Sequence, residues 1–358
     1  MFFVLSGMLS LEKQQELKEH LERAQNPIFF FDNDADGLSS FLIIRRWLGR
    51  GKGVAVRSYP GLNESYAKRA QELNADYVFI LDKPVLTREF LSIIDQMNLP
   101  CIWIDHHINQ NEDFSDLKSF ESFNYAYDGK SGEPVTYVSY KLTGRKEDLW
   151  IAVAGCIADH YLPNFAEDFA KEYPELWGKN IEEPFDAYYN SEIGKIAQSF
   201  NFGLKDSITN VVAMQNFLIL CASPADVFSE VIGNKAFRDK YFNLKKKYDL
   251  LIEESKKAVF GKLIFFTYGG ETSMSGDVSN EISYRNKDKY VAIGYVDGAS
   301  CNFSLRGTNV RLLFEKVSAQ MEEIAGGGHL DAIGARVRTS DLEKFKELLI
   351  KEINNNEI

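Results

Sequence analysis

The chain has 358 residues, of which 45% are hydrophobic and 26% charged, and a formal net charge of −11. That is the balance of a soluble globular protein with length for roughly two or three domains, each with its own core. It lacks the Lys and Arg excess that neutralises duplex phosphates, so any action on nucleic acid must rest on a local basic patch or on metals, which favours short or single strands.

The opening MFFVLSGMLS has no basic residue ahead of its apolar stretch and makes a poor signal peptide. No apolar run approaches the roughly 20 residues needed to span a bilayer. Cys101, Cys156, Cys221 and Cys301 are far apart, form no CxxC pair and read as buried free thiols of a reducing compartment. The expectation is a cytoplasmic protein with no membrane contact.

Residues 11–24 have the pattern of an amphipathic helix. Pro27–Phe31 is then a short apolar run ending in acids, and the pattern returns as Tyr77–Leu81 before Asp82 and as Cys101–Ile104 before Asp105. Such runs, rich in aromatic and β-branched residues and separated by helical stretches, read as buried parallel strands. The helical stretches are Leu38–Leu48, Glu64–Leu73 and Thr87–Met97. The fold class is therefore α/β, with a doubly wound, mainly parallel sheet in the first domain. Open parallel sheets bind ligands beyond the carboxyl ends of their strands, so acids distant in sequence are expected to converge there.

From Leu149 to Phe260 the sequence is mostly helical and carries no chemistry past Asp159. Strand patterns return at Lys262–Tyr268, Tyr290–Val296 and Cys301–Leu305, followed by helical runs at Val310–Ile324 and Leu342–Ile353. This predicts a catalytic domain over 1–165, a helical connector over 166–260 that is a candidate surface for a partner protein, and a smaller C-terminal α/β domain over 261–358. The polar Asn354–Asn356 tail is expected to fray.

Four constellations carry the chemistry. Asp32-Asn33-Asp34-Ala35-Asp36-Gly37 sets three carboxylates at alternate positions just past a strand, where they repel one another without a cation. Hard divalent ions take such oxygen ligands. A solvated helix cap and half of a calcium loop are the plainer readings, but a calcium loop needs a glutamate six residues past the glycine, where Ile43 stands. Asp82 alone would be a turn former. Asp105-His106-His107 is hard to explain by packing, since neutral imidazole suits manganese or zinc and a neighbouring carboxylate fixes its tautomer. Asp159 ends the apolar stretch Ala154–Ala158, where an unpaired carboxylate needs a partner. His160 beside it reads as a surface histidine.

These four motifs, in this order, resemble the DHH phosphoesterase superfamily. Gly326-Gly327-Gly328-His329, with Asp331, Gly334 and the upstream Ser304-Leu305-Arg306, resembles the glycine-rich signature of the DHH-associated C-terminal domain. The resemblance implies two Mn2+ ions, with Mg2+ as the alternative. One would be held by Asp34 and Asp82 with Asp32 helping, and the other by Asp36, Asp82, His106 and Asp159. It also implies that His107 faces the substrate phosphate, that Asp105 orients the histidines, and that Arg306, Gly327, Gly328 and His329 hold a terminal nucleotide. Consecutive glycines do let backbone amides approach a phosphate, and an arginine can pair with it bidentately.

Two departures stand out. Relatives acting on very short oligonucleotides or pyrophosphate carry a histidine where this chain has Phe30, with Asp32 present instead, as in RecJ-type exonucleases. Asp82 is also followed by Lys83-Pro84 rather than small residues. The leading expectation is an exonuclease or phosphodiesterase of the RecJ or nanoRNase kind, acting on single-stranded RNA or DNA or on short oligonucleotides. Phe123 and Tyr127 are candidate base-stacking residues, and Ser131–Pro134 ahead of a helix is a candidate phosphate-binding turn. The alternatives are a small-molecule phosphatase (pyrophosphate, polyphosphate, a cyclic dinucleotide or a nucleoside bisphosphate) and a non-catalytic scaffold of the same fold.

Overall fold

The computed structural model describes residues 9–57, 61–109, 111–127 and 130–355. Residues 1–8, with most of the apolar opening, and the end of the polar tail at 356–358 lie outside the described residues. The chain divides into two compact units, Met1–Tyr241 and Phe242–Ile358.

The first unit begins with α1 (Leu11–Arg23), capped by the Ser10 hydroxyl, which accepts the Lys13 amide. β1 (Pro27–Asp32), α2 (Ala35–Leu48), β2 (Lys52–Val56), α3 (Glu64–Glu72), β3 (Tyr77–Leu81), α4 (Arg88–Gln96), β4 (Cys101–Asp105) and β5 (Phe120–Asn124) then alternate. The five strands pair in parallel in the order β2-β1-β3-β4-β5. β1 shows why its run is apolar throughout: Phe29 and Phe31 enter the core on one face, Ile28 and Phe30 the core on the other. α2 covers the first face, and α3 and α4 cover the second through Ala67, Ala70, Phe90 and Ile94. The sheet is doubly wound, and its order reverses between β1 and β3, the switch point at which such folds open a crevice.

The helical middle region, α5 (Val135–Thr143), α6 (Leu149–Ala158), α7 (Ala166–Glu172), α8 (Pro174–Trp177), α9 (Pro184–Asn190), α10 (Glu192–Leu204) and α11 (Ile208–Leu220), packs on the α2 face. Phe169, Ile196, Phe200 and Met214 join the core that holds Phe29 and Phe31. Arg46 near the end of α2 fixes this arrangement. Its guanidinium meets Asp148 at 2.6 Å and donates to the carbonyls of Leu218, Ile219 and Cys221, the orphaned acceptors at the end of α11.

α12 (Lys235–Ser255) runs from the first unit into the second. The second unit contains β6 (Val259–Phe260), β7 (Leu263–Gly269), α13 (Ser275–Arg285), β8 (Tyr290–Asp297), β9 (Ser300–Arg306), α14 (Val310–Ser318), β10 (Ile324–Gly328), β11 (Ala332–Arg338) and α15 (Leu342–Asn355). Its six strands form a mixed sheet in the order β10-β11-β9-β8-β7-β6, with β7–β8 the parallel pair that α13 bridges. Alternate residues of β11 (Ile333, Ala335, Val337) meet Phe303, Phe345 and Leu349 on one face. The run read as a helix to Ile324 stops at Ser318, and Ile324 instead opens an edge strand. Asn354 and Asn355, expected to fray, close the last helix. All four cysteines are buried and free. Among the described residues no helix is long and apolar enough to cross a membrane.

Candidate active site

The carboxyl edge of the parallel sheet gathers the acids. Asp34 caps α2, its Oδ1 accepting the Gly37 amide at 2.9 Å. Gly37 is required by crowding rather than by a left-handed backbone, because a Cβ there would lie 2.5 Å from the Asp32 carbonyl oxygen. Asp36, in the first turn, points into the protein and is 2% exposed. Its Oδ2 accepts the Val135 amide at 2.9 Å and its Oδ1 the Thr136 amide at 2.8 Å, while Thr136 Oγ1 donates to the Asp36 carbonyl at 2.9 Å. Asp36 thus caps α5, whose own N-cap is Pro134 and offers no side-chain acceptor. Of the turn read as a phosphate-binding site, the Gly132 amide goes to the His106 carbonyl, and the helix amides that follow it, Val135 and Thr136, go to Asp36, each of whose carboxylate oxygens keeps a second lone pair.

Asp82 directly follows β3 in the left-handed region, at φ 55°, with its amide donating to the Ile104 carbonyl at 2.9 Å. His106 directly follows β4. Its Nδ1 lies 3.2 Å from the Gly132 carbonyl oxygen, which can only accept, so Nδ1 carries a proton and the neutral ring presents its Nε2 lone pair to the cluster. The Gly132 amide returns a 2.9 Å bond to the His106 carbonyl, pinning the ring from both sides. That Nε2 is 3.2 Å from Asp82 Oδ1, 3.8 Å from Asp159 Oδ2 and 3.9 Å from Asp36 Oδ2. His106 Nε2 and Asp82 Oδ1 are both buried and both without a hydrogen-bond partner. Two bare acceptors facing each other in the interior destabilise the fold unless a cation lies between them. Asp36, His106 and Asp159 offer ligand atoms within 4.8 Å of one another, as do Asp82, His106 and His107. The donor set, carboxylates with one imidazole, fits Mn2+ or Mg2+.

Asp105 is fully buried and serves His107: its Oδ1 accepts from Nδ1 at 3.0 Å and its Oδ2 accepts the His107 amide at 3.1 Å. This leaves His107 Nε2 as the ring's second donor. Burial pulls the imidazole down, but the hydrogen bond and charge of Asp105, with Asp36 and Asp34 behind it, raise it above the ordinary histidine value. Burial, then the charges of Asp36, Asp34, Asp159 and Asp105, raise Asp82 well above the carboxylate range. Burial, then Asp36, Asp34 and Asp105, do the same to Asp159. The enclosing protein and then the charges of Asp32 and Asp36 push Asp34 up to about 7. Asp34 sits at the open rim of the cluster, so water screens part of that effect.

Several supporting groups escaped the sequence. Asn124, at the end of the polar edge strand β5, donates from Nδ2 to Asp105 Oδ2 at 3.1 Å and to the His107 carbonyl at 2.9 Å. Asn124→Ala is expected to cost about 10- to 100-fold in turnover, the usual scale for a group that orients a functional histidine. It should also shift the acidic limb of the pH profile, and an unchanged profile would reduce Asn124 to a packing residue. Lys83 reaches Asp32, Nζ to Oδ1 at 2.9 Å, so Asp32 is drawn to an ammonium and joins none of the ligand groups found among the described residues. His160 turns away to lie on Phe185, with ring centroids 4.2 Å apart. Of the stacking candidates, Phe123 is core and Tyr127 is exposed.

In the second unit, Gly327 pairs with Gly334 across β10 and β11, and a Cβ at either would meet nothing within 4 Å, so this stretch of backbone is bare. The turn beyond it is closed by the His329 amide on the Ala332 carbonyl at 2.9 Å. Arg306, in register with Ala332, donates from Nε to Asn280 Oδ1 at 2.6 Å.

Residues 259–355 match the family profile of the DHHA1 domain. The C-terminal unit is a DHHA1 domain. Among solved structures, the chain is similar to RecJ from Thermus thermophilus in complex with Mn2+, with a TM-score of 0.62 at 16% identity over 95% of this chain and 54% of that one. An exonuclease RecJ bound to manganese matches with a TM-score of 0.60 at 16% identity, over 100% of this chain and 97% of that one. The pGpG-specific phosphodiesterase PggH from Vibrio cholerae matches at 0.52 and 13% identity, over 92% and 99%. The chain spans about half the length of the Thermus protein (54%) and nearly all of the other two (97% and 99%). No curated protein matches it by sequence. At such identities the likeness shows the fold alone, a parallel α/β domain followed by the unit that matches the DHHA1 profile.

Proposed function

We propose that the chain is a metal-dependent phosphoesterase that hydrolyses phosphodiester bonds in single-stranded RNA or DNA or in short oligonucleotides, working from a strand end. The observation that carries this reading is the buried, unpartnered pair of His106 Nε2 and Asp82 Oδ1, flanked by Asp36 and Asp159. These are acceptors without donors, arranged for a divalent cation. When bound, such an ion supplies Lewis acidity toward a phosphoryl oxygen and lowers the pKa of a water to near neutrality. The chain's own part is to hold the ligands and to present His107, whose pKa the Asp105 carboxylate raises, as a proton donor and electrostatic partner for the phosphate. Hydrolysis consumes one water per bond, which joins phosphorus as the ester oxygen leaves and takes up a proton. The bare Gly327–Gly334 backbone, His329 and Arg306 are the proposed hold on the terminal nucleotide.

The test is digestion of end-labelled RNA and DNA, from dinucleotides to long single strands, with Mn2+ or Mg2+ present, and with Asp159→Asn alongside. Asp159 is preferred to Asp36 because Asp36 also caps α5. Stepwise loss of nucleotides that Asp159→Asn abolishes is the expected result. Phosphate release from pyrophosphate or a bisphosphate nucleotide, with every strand intact, would replace this reading with the small-molecule one. That reading draws support from the net charge of −11.

A further inference from the structure

Asp32 and Lys83 form a pair that the ligand geometry sets apart from the rest of the cluster. Consecutive residues face opposite ways here: Asp82 turns to His106, while Lys83 turns to Asp32. Lys83 is 5% exposed, and its backbone is held in place by two neighbours. Trp103 Nε1 donates to its carbonyl at 3.0 Å, and Asn111 clamps the following turn through the Pro84 carbonyl at 3.0 Å and the Leu86 amide at 2.7 Å. Asp32 Oδ1 meanwhile accepts both this ammonium and the Asn33 amide at 2.9 Å. A buried lysine pinned at both main chain and head group does not swing aside cheaply, since removing either partner of a buried pair leaves an uncompensated charge.

We propose that Lys83 is a resident cation of this site, neutralising Asp32, so that the free protein holds one divalent ion, on Asp36, Asp82, His106 and Asp159, rather than two. The inference rests on the metal-dependent reading above but not on the identity of the substrate. Of the three ligand groups among the described residues, Asp82–His106–His107 and Asp36–His106–Asp159 share His106, whose Nε2 faces the unpartnered Asp82 Oδ1, and Asp32 belongs to none of the three. An ammonium supplies charge without coordination, so Asp34 and Asp82 lose Asp32 as a third oxygen ligand for a second ion.

The experiment is equilibrium dialysis of the metal-stripped full chain against Mn2+ without substrate, with bound metal counted by elemental analysis and its state read by electron paramagnetic resonance. One manganese per chain with the spectrum of an isolated ion is expected. Lys83→Met, which keeps the bulk and removes the charge, should raise the count toward two and produce a coupled spectrum. Asp32→Asn guards against misfolding of that variant, and it should leave the single ion's Kd within about threefold. Two coupled ions in the unaltered protein, or a loss of affinity of about 10-fold or more in Asp32→Asn, the scale expected when a metal's support is removed, would overturn the proposal. One tightly bound manganese with no hydrolysis of any phosphoester would refute the proposed function and leave this inference standing.

Discussion

Asp82→Asn is expected to lower metal-dependent turnover about 10³-fold while raising the Tm of the metal-free protein. The fall follows from the several kcal/mol of transition-state charge stabilisation that a catalytic ion provides, at about 1.4 kcal/mol per tenfold in rate. The rise follows from crowding: Asp82 is buried, its Oδ1 has no partner, and the charges of Asp36, Asp34, Asp159 and Asp105 all bear on it. Asparagine removes the charge, fills the same space and tolerates the left-handed backbone at φ 55°. Alanine would confound the experiment, because that backbone conformation costs about 1–2 kcal/mol for an ordinary L-residue. Turnover and thermal unfolding on the same preparations give the answer. An inactive variant with a lower Tm would recast Asp82 as a structural group, and an active one would remove it from the ligand set.

The second large effect is a reversal of sign with pH. Without metal, Asp34 is raised to about 7, and Asp82 and Asp159 are raised well above 3.8. Groups whose folded pKa exceeds the unfolded value bind more protons in the folded state, so stability falls as pH rises between the two values. His107, also raised, contributes in the same direction near neutrality. Surface carboxylates held low, such as Asp113, act only below about pH 4 and leave the window clear. Metal-free protein should therefore lose stability as pH climbs from about 4 to about 7. With Mn2+ the slope should invert, because the ion takes the deprotonated ligands and displaces protons. Saturation at about 100 times Kd adds about 2.7 kcal/mol. Urea midpoints at about pH 5 and about pH 7.5, on either side of the range in which buried carboxylates titrate, with chelator or with Mn2+, would show the crossing. Parallel slopes in the two series would mean that these carboxylates bind no metal.

Legibility in the sequence followed burial. β1, β3 and β4 could be read because each is enclosed on both faces and so apolar throughout. β2 (KGVAV) and β5 (FESFN) could not, since edge strands need no such run and β5 alternates polar residues with a single buried phenylalanine. β10 (IAGGG) is mostly glycine, with no side-chain pattern to announce a strand, and exists through its pairing with β11. The acids at strand ends were legible because the edge rule of parallel sheets brings them together whatever their spacing. Their partners were not. Asp36 with Val135, Asp32 with Lys83 and Asp105 with Asn124 are bonds across 99, 51 and 19 residues, and only the folded register sets them. The departure at Lys83-Pro84 was visible as an anomaly, and its meaning came from where the ammonium ends.

The bond between Asp36 and the start of α5 also sets a timetable for synthesis. The strands and loops bearing Asp32 to His107 leave the ribosome well before Val135 and Thr136, whose amides hold Asp36 in place, and before Asp159. Until those arrive, the nascent chain carries an open set of carboxylates with no fixed geometry, a poor competitor for scarce ions. Because α5 holds Asp36 and α6 carries Asp159, the proposed ligand set is complete only when both helices are packed on the sheet. On the proposed ligand set, the polypeptide therefore fixes the spacing of the ligands through its own core, and an ion that binds there meets a geometry set by the packing of two helices.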